Sequence, residues 1–273
     1  MSRSGPIATC PYPYCRESRP MFSLLNTLIR ALRFLLHLLH GLLLALIYPR
    51  LPHMAKRRIL QSWSAKLLQI LNVHIELAQD DQLHAPHNVL IVSNHISWLD
   101  VFVLNAVVPM RFVAKAEVRH WPVLGWLCAR AETLFIERGK ARAAARINAR
   151  MVELLRHGEI LAVFPEGTTT DGSQLAHFHS SLLQPAIDAA GKIQPLAIRY
   201  LDEHGAHSTL PAYIGEMSFI SSLRDILSAR RLHVRLTTLT PLDTRLGDRR
   251  ALTALARQQI HSTLFPVAAT DAP

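Results

Sequence analysis

The chain has 273 residues, of which 49% are hydrophobic and 18% are charged. This composition is too apolar for a disordered protein, and the length exceeds that of a disulfide-stapled miniprotein. Lys and Arg together number 30 against 20 for Asp and Glu, which gives a formal charge of +10 at pH 7. Such an excess predicts an anionic partner, namely nucleic acid, a phospholipid surface or a phosphorylated small molecule. The three cysteines fit neither a disulfide framework nor a four-ligand zinc site, so we expect an intracellular protein.

The first 72 residues divide into a polar tail and two apolar, basic segments. Residues 1–20 contain four prolines and no hydrophobic periodicity, which predicts a disordered tail. The segment Phe34–Tyr48 has fifteen residues without a formal charge and basic residues beyond both ends, whereas roughly 20 residues are needed to span a bilayer. Met54–Val73 places apolar residues at helical spacing among lysines and arginines, as in an interfacial helix. We therefore expect residues 21–72 to associate with a membrane, as a monotopic dip or a single span; alternatively these helices pack on the core.

From residue 73 onward, short β-branched runs alternate with helical patterns. This alternation is typical of a layered α/β domain, so we expect residues 73–273 to form a central mixed sheet flanked by helices. The predicted strands are Val73–Leu77, Val89–Val92, Arg111–Ala114, Leu134–Glu137, Ile160–Phe164, Gln194–Tyr200 and His233–Thr238. The predicted helices are Trp98–Val107, Ala141–His157, Leu182–Ala190, Phe219–Ala229 and Arg249–Leu264. Reactive groups in such folds gather where strands end, because the loops there are exposed while the sheet holds them rigid.

One strand end carries a histidine and an aspartate five residues apart. The segment Ile91–Asp100 passes from an apolar strand through a polar turn into a helix. On one regular helix His95 and Asp100 would point about 140° apart, so they meet only if a turn separates them. A helix that begins at Ser97 would let Asp100 accept a hydrogen bond from the imidazole, leaving the other ring nitrogen free as a base. Alternatively, Ser97 and Asp100 form a capping box and the histidine is structural.

Two other strand ends carry groups that suit an anion. The loop Phe164–Thr168 leaves Glu166 and several backbone amides at the mouth of the sheet, where such a loop can bind an oxyanion or a phosphate. The strand Leu134–Glu137 is followed by Arg138, as an anion contact would require. The simpler interpretations are an ordinary turn and a solvated strand end.

These blocks, taken together and in this order, resemble the glycerolipid acyltransferase family, the PlsC-like 1-acylglycerol-3-phosphate acyltransferases. The resemblance covers about residues 73–200, and its order and spacing are more specific than any single block. The matching blocks are Asn94-His95 followed by four residues and Asp100, then Phe135-Ile136-Glu137-Arg138, Phe164-Pro165-Glu166-Gly167-Thr168 and, more weakly, Ile193-Gln194-Pro195-Leu196-Ala197-Ile198.

The resemblance implies transfer of a fatty acyl group from coenzyme A or acyl carrier protein to the free hydroxyl of a lysolipid. His95 would remove the proton of that hydroxyl, and Asp100 would orient the imidazole and stabilise its charged form. The acceptor head group would bind to Arg138, Glu166, Gly167 and Thr168. No metal and no cofactor enters this scheme beyond the acyl donor. The enzyme would work at the cytoplasmic face of the cell membrane, where the amino-terminal helices reach acceptors dissolved in the bilayer.

Three positions depart from the family's usual pattern. Glu132 stands where the family usually has glycine, Thr169 where arginine is common, and His179 where a basic residue usually follows Phe178. A phosphate site weakened in this way would lose about 1.5–3 kcal/mol for each charge-assisted hydrogen bond. We expect 1-acyl-sn-glycerol-3-phosphate as the acceptor, giving phosphatidate, with lyso-ornithine lipid as the alternative. A different class of function, a catalytically inactive membrane-binding module, is the competing hypothesis.

Other functions find little support in the sequence. The chain contains no G-x-S-x-G, P-loop or G-x-G-x-x-G motif, which disfavours a serine hydrolase and the usual nucleotide-binding proteins. No recognisable nucleic-acid-binding motif accompanies the positive charge. His177 and His179 could share one face of a strand, but a third metal ligand at a persuasive spacing is missing.

Overall fold

A computed structural model describes residues 22–78, 87–137 and 141–266 of the chain. Within these ranges eight strands form one mixed sheet. The strands are β1 (Val73–Leu77), β2 (Val89–Ser93), β3 (Arg111–Lys115), β4 (Leu134–Ile136), β5 (Ile160–Val163), β6 (Lys192–Leu201), β7 (Leu232–Thr238) and β8 (Leu242–Asp243). The helices are α1 (Phe22–Ile47), α2 (His53–Leu71), α3 (Leu99–Val107), α4 (Leu124–Arg130), α5 (Ala141–Arg156), α6 (Gln184–Asp188), α7 (Phe219–Ser228) and α8 (Arg249–Leu264). The predicted α/β class is confirmed.

The strand order is β1-β7-β6-β2-β5-β3-β4, with β8 paired to β6. Strand β2 lies near the centre and pairs in parallel with both β5 and β6. All five of its residues are buried, as expected for a parallel strand that is covered on both faces. The pair β6 and β7 is antiparallel, so the sheet is mixed as the sequence predicts.

Two apolar layers cover the sheet. Residues of α2, α3 and α7 pack in the first layer, and residues of α5 and α8 with Ala186 of α6 pack in the second. Strand β6 contributes to both, because successive side chains point to opposite faces. Leu196, Ile198 and Tyr200 lie in the first layer, whereas Ile193 and Ala197 lie in the second.

The two amino-terminal helices form an antiparallel pair on the first layer. The His37 imidazole stacks on the Trp63 indole with ring centroids 4.5 Å apart. The indole Nε1 donates to the His37 carbonyl at 3.3 Å, and His37 Nε2 lies 3.0 Å from the Trp63 carbonyl oxygen. A Cβ at Gly41 would approach the indole Nε1 to 2.8 Å. A residue without a side chain at position 41 therefore lets α1 and α2 pack this closely.

One face of α1 is apolar and exposed. The segment Leu24–Arg50 is long and apolar enough to cross a membrane. Only 22% of its most apolar stretch of 18 residues is buried in the protein. Six exposed leucines recur at heptad-like spacing on one face: Leu25, Leu28, Leu32, Leu36, Leu39 and Leu43. This stripe differs from a core helix, whose apolar face is covered by its own protein.

Most predicted elements are present, with three differences. The predicted helix Leu182–Ala190 is divided into a 3₁₀ turn and the short α6. Helix α4 and strand β8 were not predicted. A Cβ at Gly125 of α4 would lie 2.3 Å from the Arg119 carbonyl oxygen, so this glycine serves close packing although glycine disfavours a helix. The predicted disordered tail, residues 1–20, lies outside the described residues.

Candidate active site

The polar turns after β2 and β5 lie side by side at the same edge of the sheet. These strands are parallel, and Val92 near the end of β2 is paired with Val163 at the end of β5. Asn94, fully buried, fixes the first turn: its side-chain amide donates to the Ile198 carbonyl at 2.9 Å and accepts from the Ile198 amide at 2.8 Å. The residue that follows, His95, is thereby held at the carboxyl edge, where α/β folds place their binding sites.

His95 and Asp100 form the hydrogen bond that their spacing allows. Nδ1 of the imidazole lies 2.8 Å from Oδ2 of Asp100. The imidazole is 21% exposed, whereas the carboxylate is fully buried. Because α3 begins at Leu99, the histidine lies in the turn and the aspartate in the first helical turn. With Nδ1 bound to the carboxylate, Nε2 is the ring nitrogen left for a substrate.

The same aspartate oxygen also receives the backbone of the turn. Oδ2 accepts from the Ile96 amide at 2.8 Å and from the Ser97 amide at 2.9 Å. The contact with Ser97 is the one that a capping box would supply. Capping and imidazole orientation are therefore performed together by one carboxylate, and the two interpretations of the sequence are not exclusive.

The other oxygen of Asp100 receives a tyrosine that the sequence does not single out. The Tyr200 hydroxyl of β6 donates to Oδ1 at 2.7 Å, and the residue is fully buried. Burial and the neighbouring Asp100 charge raise the pKa of Tyr200 well above 10, so its hydroxyl keeps its proton at physiological pH. In the sequence this tyrosine looks like one more apolar residue of a buried strand.

Two aromatic rings lie beneath the imidazole. The Phe164 ring stacks on His95 with centroids 3.9 Å apart and planes 7° from parallel. Phe112 of β3 stacks in turn on Phe164 at 5.9 Å. These rings restrict the rotation of the imidazole and shield one of its faces from water.

Glu166 binds backbone amides on both sides of the site. Oε1 accepts from the His95 amide and Oε2 from the Ala176 amide, each at 2.8 Å. The residue is 4% exposed, and burial raises the pKa of its carboxyl above the ordinary 4.5. This carboxylate thus ties the loop after β5 to the turn that carries the histidine.

Sequence comparison identifies the family. The chain is 37% identical over 215 residues to the lyso-ornithine lipid O-acyltransferase of Pseudomonas aeruginosa, covering 78% of this chain and 81% of that protein. The chain belongs to the acyltransferase family. The family's model matches residues 74–199, which contain every residue of the site described above except Tyr200.

A further relative agrees with this assignment, and a solved structure shares the fold. The 1-acyl-sn-glycerol-3-phosphate acyltransferase of Neisseria meningitidis is 36% identical over 207 residues, covering 76% of this chain and 79% of that protein. The crystal structure of the 1-acyl-sn-glycerophosphate (LPA) acyltransferase PlsC from Thermotoga maritima superposes with a TM-score of 0.59. That comparison covers 88% of this chain and 99% of PlsC at 18% identity, and it establishes the shared fold.

The remaining predicted head-group residues of this acyltransferase are less fully placed. Arg138 lies outside the described residues, just beyond Glu137 at the end of β4. Thr168 is exposed beside the site. The Gly167 amide donates to the Phe164 carbonyl at 3.0 Å, and its φ of 62° is a backbone conformation that glycine adopts without strain. That amide therefore closes the turn after β5.

Thr169, where arginine is common in the family, fastens another loop to the site. Its hydroxyl donates to the carbonyl of Tyr213, whose amide donates to the Ile96 carbonyl at 2.9 Å. The loop that carries Tyr213 is thus bound both to the loop after β5 and to the histidine turn. The threonine side chain is used for this contact and presents no cation to a substrate.

Glu132, where the family usually has glycine, lies in a salt-bridge cluster that involves α2. Its carboxylate accepts from Lys56 of α2 at 2.7 Å and from Arg111 of β3 at 3.0 Å. Its φ of 64° is the left-handed conformation that glycine favours. The salt bridges accompany this backbone conformation and connect the helix pair to the sheet.

The third departure concerns the histidines after the loop. His177 and His179 are exposed, and their rings lie 5.5 Å apart. In the described ranges, His, Cys, Asp and Glu residues form no group of three or more that could hold a metal ion.

An apolar cavity of about 130 Å³ lies between the helix pair and the sheet. Its lining includes Gly41, Trp63, Phe102, Phe112, Leu124 and Cys128. Phe112 belongs both to this lining and to the aromatic stack under His95. Burial raises the pKa of the Cys128 thiol to about 11, so this cysteine is an apolar wall residue rather than a thiolate nucleophile.

Proposed function

We propose that this acyltransferase moves a fatty acyl group from acyl-CoA or acyl carrier protein to the free hydroxyl of a lysolipid. The observation that carries the proposal is the partly exposed His95 imidazole, held by the buried Asp100 carboxylate at 2.8 Å. A histidine oriented in this way suits the removal of a proton from an alcohol near pH 7. The inactive membrane-binding module receives no support from a site in which both partners keep this geometry.

The reaction follows from the free ring nitrogen. Nε2 of His95 takes the proton of the acceptor hydroxyl while the oxygen attacks the thioester carbonyl carbon. The C–S bond then breaks, the thiolate leaves, and the imidazolium returns its proton to that sulfur. Asp100 stabilises the imidazolium between these two steps. An acyl-enzyme is not required, since the thioester is already activated.

In the loop after β5, one residue supports the His95 turn and others are proposed to bind the acceptor head group. Glu166 has both oxygens on backbone amides, so we assign it the support of the His95 turn within the predicted head-group site. Arg138 and Thr168, with the backbone at Gly167, are the proposed contacts of the acceptor head group. Arginine suits this part, because its guanidinium binds phosphate or carboxylate in a bidentate manner.

The apolar cavity is the proposed place of the acyl chain. Its lining includes Phe112, which is separated from His95 by a single intervening ring, that of Phe164. An acyl chain in the cavity would bring its thioester to the edge of the sheet where the imidazole lies. Apolar lining and a few polar groups at one end are typical of lipid and small-molecule sites.

The exposed leucine face of α1 is the proposed membrane contact, at the cytoplasmic face of the cell membrane. Each leucine that moves from water into the acyl region gains about 1.5–3 kcal/mol. The formal charge of +10 favours an anionic lipid surface. Since the cavity is lined by α1 and α2, membrane binding by α1 would also bring the cavity close to the lipid.

We consider two acceptors, and 1-acyl-sn-glycerol-3-phosphate is the one expected from the sequence. Lyso-ornithine lipid is favoured by a specific observation, because Thr169 offers a hydroxyl that is already bound to Tyr213 where a phosphate would gain from arginine. Relatives at 37% and 36% identity carry the names of both activities. The acceptor must therefore be determined directly.

The test is a panel of acceptors and donors with detergent-purified protein. Lysophosphatidate, lysophosphatidylcholine and lyso-ornithine lipid are each offered with palmitoyl-CoA and palmitoyl-acyl carrier protein, and the diacyl product is measured by mass spectrometry. We expect product from lysophosphatidate, from lyso-ornithine lipid or from both. Thr169→Arg should raise the ratio of lysophosphatidate to lyso-ornithine lipid turnover about tenfold or more, with Thr263→Arg on α8 as control. No product from any pair would contradict the proposed function.

A further inference from the structure

Tyr200 is the fourth donor on the aspartate that holds the histidine. Oδ2 of Asp100 accepts from the imidazole and from two backbone amides, whereas Oδ1 accepts from the Tyr200 hydroxyl at 2.7 Å. Both residues are fully buried. Water therefore does not reach Oδ1 to replace the tyrosine.

We propose that Tyr200 is a positioning residue for acyl transfer, which fixes the Asp100 carboxylate so that Oδ2 faces His95. The tyrosine touches no substrate and acts through the aspartate. The inference rests on the proposed function of His95 as a base. It adds a residue from a strand about a hundred positions away in the sequence.

The surroundings of Tyr200 make it a rigid support. Strand β6 pairs with β2 on one side and β7 on the other, and Tyr200 packs in the first apolar layer with Leu196 and Ile198. A side chain locked by packing on a central strand holds its hydroxyl more precisely than a loop residue would. The raised pKa of the phenol keeps the group a donor throughout the working pH range.

The hydrogen bond from Tyr200 to Asp100 also matters when the His95 imidazole becomes positively charged. As the imidazole gains a proton, the buried carboxylate must remain ionised beside it. A hydrogen bond to a buried charged group is worth more than one between neutral groups, and an unsatisfied buried oxygen is costly. Loss of the tyrosine hydroxyl would leave Oδ1 unpaired and let the carboxylate rotate away from the histidine.

The experiment compares Tyr200→Phe with the wild type in two backgrounds. Phe keeps the ring and removes the hydroxyl. We expect kcat to fall about 10- to 100-fold, the loss of one hydrogen bond to a charged group, with KM for donor and acceptor unchanged. In an Asp100→Asn background the same substitution should change kcat less than about twofold, because residues that act as a unit are not additive.

A matched control separates this role from general packing. Thr238→Val removes another buried hydroxyl from the neighbouring strand β7, one that has no hydrogen-bond partner in the described part of the chain. Its kcat should stay near that of the wild type. Thermal unfolding gives the folded fraction of each variant, and activities are expressed per folded enzyme, so that a loss of stability does not imitate a loss of catalysis.

Three results would overturn the inference: full kcat in Tyr200→Phe, a rise in KM at unchanged kcat, or an equal fall in both aspartate backgrounds. The last would mean that the tyrosine acts independently of Asp100. Failure of the proposed function is a separate result, since the wild type would then transfer no acyl group to any lysolipid.

Discussion

At the scale of single residues, one carboxylate organises the site. Asp100 accepts from His95, from two amides of its own turn and from Tyr200. The spacing of His95 and Asp100 was enough to predict their contact once a turn was assumed. Tyr200 could not be predicted in this way, because it is brought to the site by the pairing of β6 with β2. No local sequence pattern indicates that pairing.

Glu166 gives a residue-scale prediction that depends on pH. Its pKa is raised above 4.5 by burial, so between 4.5 and the raised value the folded protein binds a proton that the unfolded chain has lost. The contribution of this group to stability therefore falls as pH rises through that window and is constant above it. Since glutamine does not titrate, the unfolding free energy of the wild type minus that of Glu166→Gln should decrease as pH rises.

Urea unfolding of both proteins from pH 4 to pH 7.5 measures that difference. Glutamine offers one carbonyl oxygen, so one of the two backbone amides loses its acceptor, and we expect the variant to be less stable by about 1–3 kcal/mol. A difference that grows with pH would show that the folded carboxyl titrates below its ordinary range.

At the scale of elements, the helices show which sequence signals were sufficient to predict an element. Periodicity predicted α2 and α8 to within two residues, because their apolar faces are long and regular. Helix α4 was missed, since Pro122 and Gly125 look like turn residues and only tertiary packing against Arg119 makes the helix favourable. Helix α1 begins at residue 22, twelve residues before the uncharged segment by which it was recognised.

The exposed face of α1 gives the prediction at this scale. Substitution of Leu32, Leu36 and Leu43 by glutamine removes three leucines from one face of the helix, each more than half exposed. Since each contributes about 1.5–3 kcal/mol on burial, binding to phospholipid vesicles should fall at least about 100-fold in a flotation assay. Leu255→Gln, on the opposite layer, should bind like the wild type. Unchanged flotation of the triple variant would remove α1 as the membrane contact.

At the scale of the whole molecule, the sheet brings distant polar turns to one edge and places the helix pair beside them. The alternation of strands and helices predicted the α/β class, and the mixed sheet is confirmed. The strand order could not be predicted, because it depends on pairings between segments more than a hundred residues apart, such as β1 with β7. Without that order the cavity between α1, α2 and the sheet could not be predicted either.

The central claim is that His95 is the base of an acyl transfer. The measurement is thiol release from palmitoyl-CoA in the presence of each lysolipid, for the wild type, for His95→Ala and for His261→Ala, an exposed histidine of α8. We predict lysolipid-dependent release by the wild type and the His261 variant, and a loss of at least about 100- to 10,000-fold in His95→Ala, the usual share of general base catalysis. A folded His95→Ala protein that retains full acyl transfer would contradict the account.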